Sequence, residues 1–156
     1  MPIIDLKDAP QHLPTLAKWH HQQWADLNPG FSLEQRLDMM QAYLGDYPIP
    51  STYVAVDTEP MGSAALIAND MDSHPEWTPW LASVFVAPAY RNQGIGGRLV
   101  RHAMDRAKAA GIAGLYLFTP DREDFYRRLG WRVLATEHYR GHAVTIMHAD
   151  LSDSFI

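Results

Sequence analysis

The sequence predicts an α/β protein in which helices flank a mixed, mostly antiparallel β-sheet. A strand, a glycine-rich turn and a helix start follow one another within residues 83–97. Two segments, 53–67 and 131–147, each contain a pair of β-forming runs joined by a short turn, which is typical of antiparallel hairpins. Helical spacing elsewhere supplies the helices that would cover such a sheet.

The N-terminal part is predicted to contain one strand and two helices. Residues 2–6 indicate a strand, and residues 11–26 and 32–45 have helical spacing. Ser32 and Gln35 stand three positions apart, as in a capping box, so the second helix is expected to begin there.

Three strands are predicted next. Residues 53–56 and 63–67 form a hairpin across 58–62, and residues 80–87 form the strand that leads into the glycine-rich turn. Pro88 has no N–H to donate, so pairing is expected to stop there.

The glycine-rich turn predicts a phosphate site. Gly94, Gly96 and Gly97 permit backbone angles and close approaches that a Cβ would forbid, and residues 95–110 form an amphipathic helix ending near Gly111. The exposed N–H groups and positive dipole end of such a helix start favour phosphate oxygens.

Two common phosphate loops do not fit this turn. A nucleotide-hydrolysing loop needs Gly-Lys-Ser/Thr, but Arg98 and Leu99 follow Gly97. The dinucleotide pattern needs glycine at its first, third and sixth places, and the sixth place counted from Gly94 is Leu99.

The C-terminal part is predicted to complete the sheet. Residues 115–118 indicate a buried strand, and a short helix lies within 124–131. Residues 131–137 and 143–147 form a last hairpin about Arg140-Gly141.

Two motifs resemble the GNAT family of N-acetyltransferases. Arg91-Asn92-Gln93-Gly94-Ile95-Gly96 resembles the family's coenzyme A loop, Arg/Gln-x-x-Gly-x-Gly/Ala, directly after a strand. Phe125-Tyr126, followed by Gly130-Trp131, resembles its Phe-Tyr-x-x-x-Gly-Phe signature. The order β-α-α-β-β-β-α-β-α-β-β is also that of the family, whose central strands splay apart to admit the coenzyme.

The resemblance implies binding of acetyl-coenzyme A (acetyl-CoA) and direct attack by an amine, without an acyl-enzyme. N–H groups from Asn92 to Gly97 would hold the pyrophosphate, and the backbone of Val84, Phe85 and Val86 would pair with the pantetheine arm. Arg91 would bind phosphate or pair with a nearby carboxylate. Thr119 stands where many members have asparagine, and its hydroxyl or the backbone would take that contact. The expected coenzyme-binding residues are Val84, Phe85, Val86, Arg91, Asn92, Gln93, Gly94, Ile95, Gly96, Gly97 and Thr119.

The resemblance also implies a general acid and leaves the base open. Tyr126 occupies the position whose hydroxyl faces the departing sulfur. Leu81, Ala82 and Ser83 supply no carboxylate where many members have a glutamate. Glu76 is therefore the first candidate base, followed by Asp72 and His74, with a water relay through Ser83 as the other possibility.

Aromatic and acidic residues indicate the acceptor. Trp24 and Trp80 could line an amine pocket by cation–π contact, and the acid-rich segment 70–76 favours a small cationic amine. A peptide or protein N-terminus is also open. The competing class is a non-catalytic acyl-CoA-binding module that senses the coenzyme without turnover.

Composition limits the remaining possibilities. With 156 residues, the chain is expected to form a single domain over 1–156. It has no cysteine, and its formal net charge of −5 argues against a nucleic-acid surface.

No segment resembles a membrane span or export signal, so a cytoplasmic protein is expected. His20-His21 is a poor chelate, so no metal site is expected. Assembly is left open, with a homodimer as one option.

Overall fold

The computed structural model describes residues 2–46 and 48–152. Its strands are β1 (Ile3–Asp5), β2 (Ser51–Asp57), β3 (Glu59–Ile67), β4 (Trp80–Val86), β5 (Gly114–Thr119), β6 (Arg132–Tyr139) and β7 (His142–Asp150). Its α-helices are α1 (Leu13–Trp24), α2 (Leu33–Met40), α3 (Ile95–Ala109) and α4 (Glu123–Arg128). The predicted order of strands and helices is confirmed.

The seven strands form one sheet in the order β1-β2-β3-β4-β5-β7-β6. Every neighbouring pair is antiparallel except β4 and β5, which are parallel and are connected through α3. The predicted mixed, mostly antiparallel sheet is therefore confirmed.

The first two helices are shorter than predicted because their ends tighten into 3₁₀ turns. Turns at Pro10–His12 and Ala25–Leu27 flank α1, and a turn at Gln41–Leu44 follows α2. The capping box is confirmed: Ser32 Oγ accepts from Gln35 N at 3.0 Å, and Gln35 Oε1 accepts from Ser32 N at 2.7 Å.

Helices cover both faces of the sheet. Because side chains alternate along a strand, Val54 of β2 packs under α1 and α2, whereas its neighbours Tyr53 and Ala55 pack with α3. The buried face of α3 consists of Ile95, Leu99, Val100, Ala103 and Ala107. Full burial of a side chain as large as Leu99 contributes about 1.5–3 kcal/mol.

A third apolar cluster lies over β5, β6 and β7 beneath the segment 68–79. It contains Met71 and Trp80 together with Tyr139, Val144 and Ile146. None of the helices in the described residues is both long enough and apolar enough to cross a bilayer.

Candidate functional site

The central strands β4 and β5 separate almost as soon as they begin. Their register contains a single residue pair, Trp80 with Tyr116, at the start of β4. Beyond that pair, β4 and β5 have no further paired residues, so the backbone groups on this side of β4 border a cleft. The splayed central strands expected from the family resemblance are present.

A β-bulge lies in β4 beside this cleft. Ser63 of β3 is opposite Phe85, and Ala65 is opposite Ala82, so Ser83 and Val84 together face one residue of β3. Ser83 has φ 53°, in the left-handed region that a residue with a Cβ adopts at some cost.

Two hydrogen bonds connect the bulge to α1. Ser63 Oγ donates to the Ser83 carbonyl at 3.0 Å, and His20 Nε2 lies 2.9 Å from Ser63 Oγ. Burial, with a smaller effect of the Arg36 charge, lowers the pKa of His20 to about 3. From sequence, His20 was a candidate only for a metal site, and its separation of 43 residues from Ser63 gives no sequence signal for this bond.

The turn after β4 leads directly to the N-terminus of α3. Asn92 has φ 64° and Gly94, the residue before α3, has φ 78°. Arg98 N donates to Gly94 O at 3.2 Å, so the amides of residues 95–97 precede the first backbone bond at this helix end. A Cβ on Gly94 would meet no atom within 4 Å, which means that packing within the protein does not exclude a side chain there.

The other loop residues divide between core and surface. Ile95 is 5% exposed and belongs to the core, so only its backbone is available to a ligand. A Cβ on Gly96 would lie 3.5 Å from both Phe125 Cζ and Val86 Cγ2, so β4, α3 and α4 meet at this point. Gln93 is exposed, and Gly97 is partly buried.

The Arg91 side chain contacts the end of β4. Its Nε donates to the Val86 carbonyl at 2.9 Å, and its guanidinium lies 5.6 Å from the centre of the Phe85 ring. The side chain thus folds back onto the end of β4 instead of pairing with a carboxylate.

Thr119 uses its hydroxyl oxygen within its own turn. Thr119 Oγ1 accepts from Arg122 N at 3.0 Å and from Asp121 N at 3.4 Å, and the residue is 5% exposed. The threonine therefore orders the turn that leads into α4.

Tyr126 of α4 packs against aromatic neighbours. Its ring centre lies 5.0 Å from that of Phe125 and 6.1 Å from that of Trp131. Burial raises the pKa of the Tyr126 phenol well above its ordinary value, the charge of Arg122 opposing this and that of Asp121 adding to it. The phenol is therefore a neutral hydrogen-bond donor at physiological pH.

The three candidate bases lie on the segment 68–79 and are already paired. His74 Nε2 is 2.5 Å from Glu137 Oε1 of β6, and its Nδ1 is 3.3 Å from Glu76 Oε2. The hydrogen bond to Glu137, and then that to Glu76, raises the pKa of His74. Asp72 Oδ2 accepts from Arg140 Nη2 at 2.5 Å. The Glu76 side chain is nevertheless 60% exposed.

The two tryptophans expected near the acceptor occupy different environments. Trp24 is partly exposed, with its ring edge-on to Phe85 at 6.2 Å between ring centres. Trp80 is fully buried, and its Nε1 donates to Trp77 O at 2.7 Å. Because no part of the Trp80 indole reaches solvent, it is not available for cation–π contact with a ligand here, and the expectation for this residue is corrected.

The residues that could hold a metal do not assemble. Within 2–46 and 48–152, no three His, Asp or Glu side chains form a group suited to a metal ion.

Comparisons with known proteins agree with this geometry. A sequence model described as the acetyltransferase (GNAT) family matches residues 14–131. A comparison with curated protein sequences finds no match.

Several solved structures share the fold. Aminoglycoside 6'-acetyltransferase type Ii is 20% identical over 99% of this chain and 100% of its own, with a TM-score of 0.74. An aminoglycoside 6'-N-acetyltransferase complexed with coenzyme A is 18% identical over 100% of both chains, with a TM-score of 0.74. The yncA structure from Salmonella typhimurium, solved with its cofactor acetyl-CoA, is 18% identical over 100% of this chain and 96% of its own, with a TM-score of 0.69.

Proposed function

The chain belongs to the acetyltransferase (GNAT) family, and on this basis we propose that it transfers the acetyl group of acetyl-CoA to a primary amine, with residues 1–156 acting as one catalytic domain. The proposal is carried by one observation: the open side of β4 leads directly to the N-terminus of α3. The single Trp80–Tyr116 pair leaves β4 open to a ligand, and the turn after β4 leads to the amides that precede the first backbone bond of α3.

The residues at both ends of this route suit acetyl-CoA. Backbone groups of Val84, Phe85 and Val86 border the cleft and would pair with the extended pantetheine arm. The amides of residues 92–97 would hold the diphosphate, since the helix end supplies N–H donors and a favourable dipole. Open space beside Gly94 leaves room for the phosphates.

Arg91 and Thr119 take secondary roles in this proposal. The Arg91 guanidinium lies close to the loop but is bonded to the Val86 carbonyl, so it would add a phosphate bond only after rotating away. Thr119 would act through the turn that it orders, because its hydroxyl oxygen is already bonded there.

The proposed chemistry is one direct transfer. The neutral amine attacks the thioester carbonyl carbon, the new C–N bond forms while the nitrogen releases one proton to water, and the C–S bond breaks with its electron pair going to sulfur. Tyr126 donates a hydrogen bond to the departing thiolate. A phenol has a reference pKa of about 10 and a thiol of about 8.5, so complete transfer is uphill even for an ordinary tyrosine. Because the pKa of Tyr126 is raised further, we assign it stabilisation of the thiolate rather than full protonation.

We propose that Glu76 receives the amine proton through water. Among the hydrogen-bonded side chains of His74, Glu76 and Glu137, that of Glu76 is the most exposed, whereas Asp72 is paired with Arg140. A water held near Ser83 would connect the amine in the cleft to this segment.

The proposed acceptor is a small cationic primary amine. Glu76 offers an exposed carboxylate on the acid-rich segment 70–76, and the chain has a net charge of −5. Trp24 offers a partly exposed aromatic face beside Phe85. Two structural relatives are aminoglycoside acetyltransferases, which is consistent with this class.

A panel of amines assayed for acetyl-CoA-dependent thiol release tests the proposal. The panel includes polyamines, aminoglycosides, neutral primary amines and peptides with free N-termini. We expect turnover that is fastest with a small cation. Fastest turnover with peptides would assign a protein N-terminal acetyltransferase, and acetyl-CoA binding without turnover on any amine would support the sensor function instead.

A further inference from the structure

The bulge of β4 is connected to α1 by two hydrogen bonds, of which the one between His20 and Ser63 is buried and the one to Ser83 is partly buried. His20 of α1, Ser63 of β3 and the Ser83 carbonyl form a chain with separations of 2.9 Å and 3.0 Å. His20 is 2% exposed and Ser63 is 0% exposed, so water does not compete for the bond between these two side chains.

The direction of this chain follows from proton counting. A serine hydroxyl has one proton, and Ser63 gives it to the Ser83 carbonyl, which can only accept. His20 Nε2 must therefore carry a proton and donate to Ser63 Oγ, which fixes the tautomer of the neutral ring. Burial and the charge of Arg36 keep the pKa of His20 far below neutrality, so the ring is neutral throughout the physiological range.

The bulge needs such support because the strand ladder does not fix it. Ser83 and Val84 share a single facing residue on β3, and β5 has already diverged on the other side. Ser83 also has φ 53°, a costly value for a residue with a Cβ. We expect its backbone to relax from this value if the hydrogen bond to its carbonyl is removed. The Trp24 ring packs against both His20 and Phe85, the residue that follows the bulge.

We infer that His20 and Ser63 are positioning residues that lock the bulge of β4, so that the backbone amides after Ser83 face the reacting thioester. The inference rests on the proposed function, because it assigns these residues to the same cleft. Neither residue contacts substrate, and both act through the Ser83 carbonyl.

Kinetics of Ser63→Ala and His20→Phe test the lock. Because a small misplacement near reacting atoms is costly, we expect kcat to fall at least about tenfold in each variant. The dissociation constant of acetyl-CoA should rise less than kcat falls, since the diphosphate amides are untouched and only the pairing of pantetheine beside the bulge is disturbed. His20→Gln keeps a donor near the Nε2 position and should recover most of kcat. His21→Phe, on the same helix but without a bond to Ser63, is the matched control and should behave as the parent.

The double variant Ser63→Ala with His20→Phe should be no slower than the slower single variant, because both remove the same chain. Equal kcat in parent and single variants, or losses that multiply in the double variant, would overturn the lock.

Amide exchange separates failure of the lock from failure of the proposed function. In ¹H–¹⁵N spectra, the Val84 amide should exchange faster in Ser63→Ala and His20→Phe than in the parent and in His21→Phe. Unchanged exchange at Val84 would overturn the lock whether or not any amine is acetylated. If exchange rises but the parent acetylates no amine, the lock stands and the catalytic proposal fails.

Discussion

At the scale of single residues, Tyr126 links the fold to the proposed chemistry. Its ring packs beside Phe125 and Trp131, and burial keeps its hydroxyl protonated. The Phe-Tyr motif predicted this residue from sequence. The direction of its pKa shift could not be predicted, because it depends on how the core closes around the ring.

Replacing Tyr126 by phenylalanine should separate chemistry from binding. We expect Tyr126→Phe to lower kcat by about ten- to a hundredfold, because the departing thiolate loses a hydrogen bond. The acetyl-CoA dissociation constant, measured by calorimetry, should stay nearly unchanged. Phe125→Leu is the neighbouring packing control. A parent-like kcat for Tyr126→Phe would show that the tyrosine serves packing alone.

His20 should make the fold sensitive to acid. Its pKa is about 3 in the folded protein against 6.5 for a free histidine. Between these values the unfolded state binds a proton that the folded state does not, so stability is retained at higher pH and lost on acidification. The loss should be on the order of 3 kcal/mol between pH 6.5 and pH 4.

Urea unfolding of the parent and of His20→Gln at several pH values measures this loss. The other ionisable groups are shared, so the difference between the two curves isolates His20. The parent should lose more stability than the variant as the pH falls. Parallel curves would contradict a buried, neutral His20.

At the scale of elements, the segment from β4 to α3 shows what local sequence can encode. A β-rich run, a proline and a glycine turn specify strand, turn and helix from short-range effects, and the structure has them at Trp80–Val86 and Ile95–Ala109. The bulge within β4 was not predicted, because it depends on register with β3 and on bonds from distant residues. Trp80 was misplaced for the same reason: its burial is decided by Tyr116 and Phe118.

Two glycines that flank α3 offer a matched test of the coenzyme loop. Gly94 and Gly111 have φ values of 78° and 84°, and a Cβ on either would meet no atom within 4 Å. Gly94→Glu and Gly111→Glu should therefore strain the backbone similarly, by about 1 kcal/mol.

Of this pair, Gly94→Glu alone should abolish acetyl-CoA binding, because its carboxylate would meet the diphosphate at the helix N-terminus. A second loop variant, Gly96→Glu, should also abolish binding. Calorimetric titration with acetyl-CoA measures the affinity of all three variants. Equal affinities of Gly94→Glu and Gly111→Glu would refute the assignment of the loop.

At the scale of the whole molecule, Arg140 joins three separate segments. From the β6–β7 turn, it donates to Leu27 O and Asn28 Oδ1, both at 2.9 Å, and to Asp72 Oδ2 on the segment 68–79. The sequence indicated a hairpin turn here. The connections to positions 112 and 113 residues away could not be predicted, because they exist only once the sheet is assembled.

Loss of this connection should affect the acceptor more than the coenzyme. We expect Arg140→Gln to raise the KM for the amine several-fold, about 1 kcal/mol in binding, because the segments on the acceptor side would no longer be held together. The KM for acetyl-CoA should not change. Arg127→Gln, which removes an exposed pair with Glu123 on α4, is the control. An unaltered amine KM in Arg140→Gln would place the acceptor elsewhere.

The whole account depends on one arrangement, in which β4 parts from β5 to admit acetyl-CoA and the amides before and within the first turn of α3 bind its diphosphate. A crystal structure of the protein grown with acetyl-CoA measures this directly. The account predicts diphosphate oxygens about 3 Å from the amides of residues 92–97 and the pantetheine arm alongside Val84–Val86. A closed cleft, with the nucleotide bound at another surface or not bound, would contradict it.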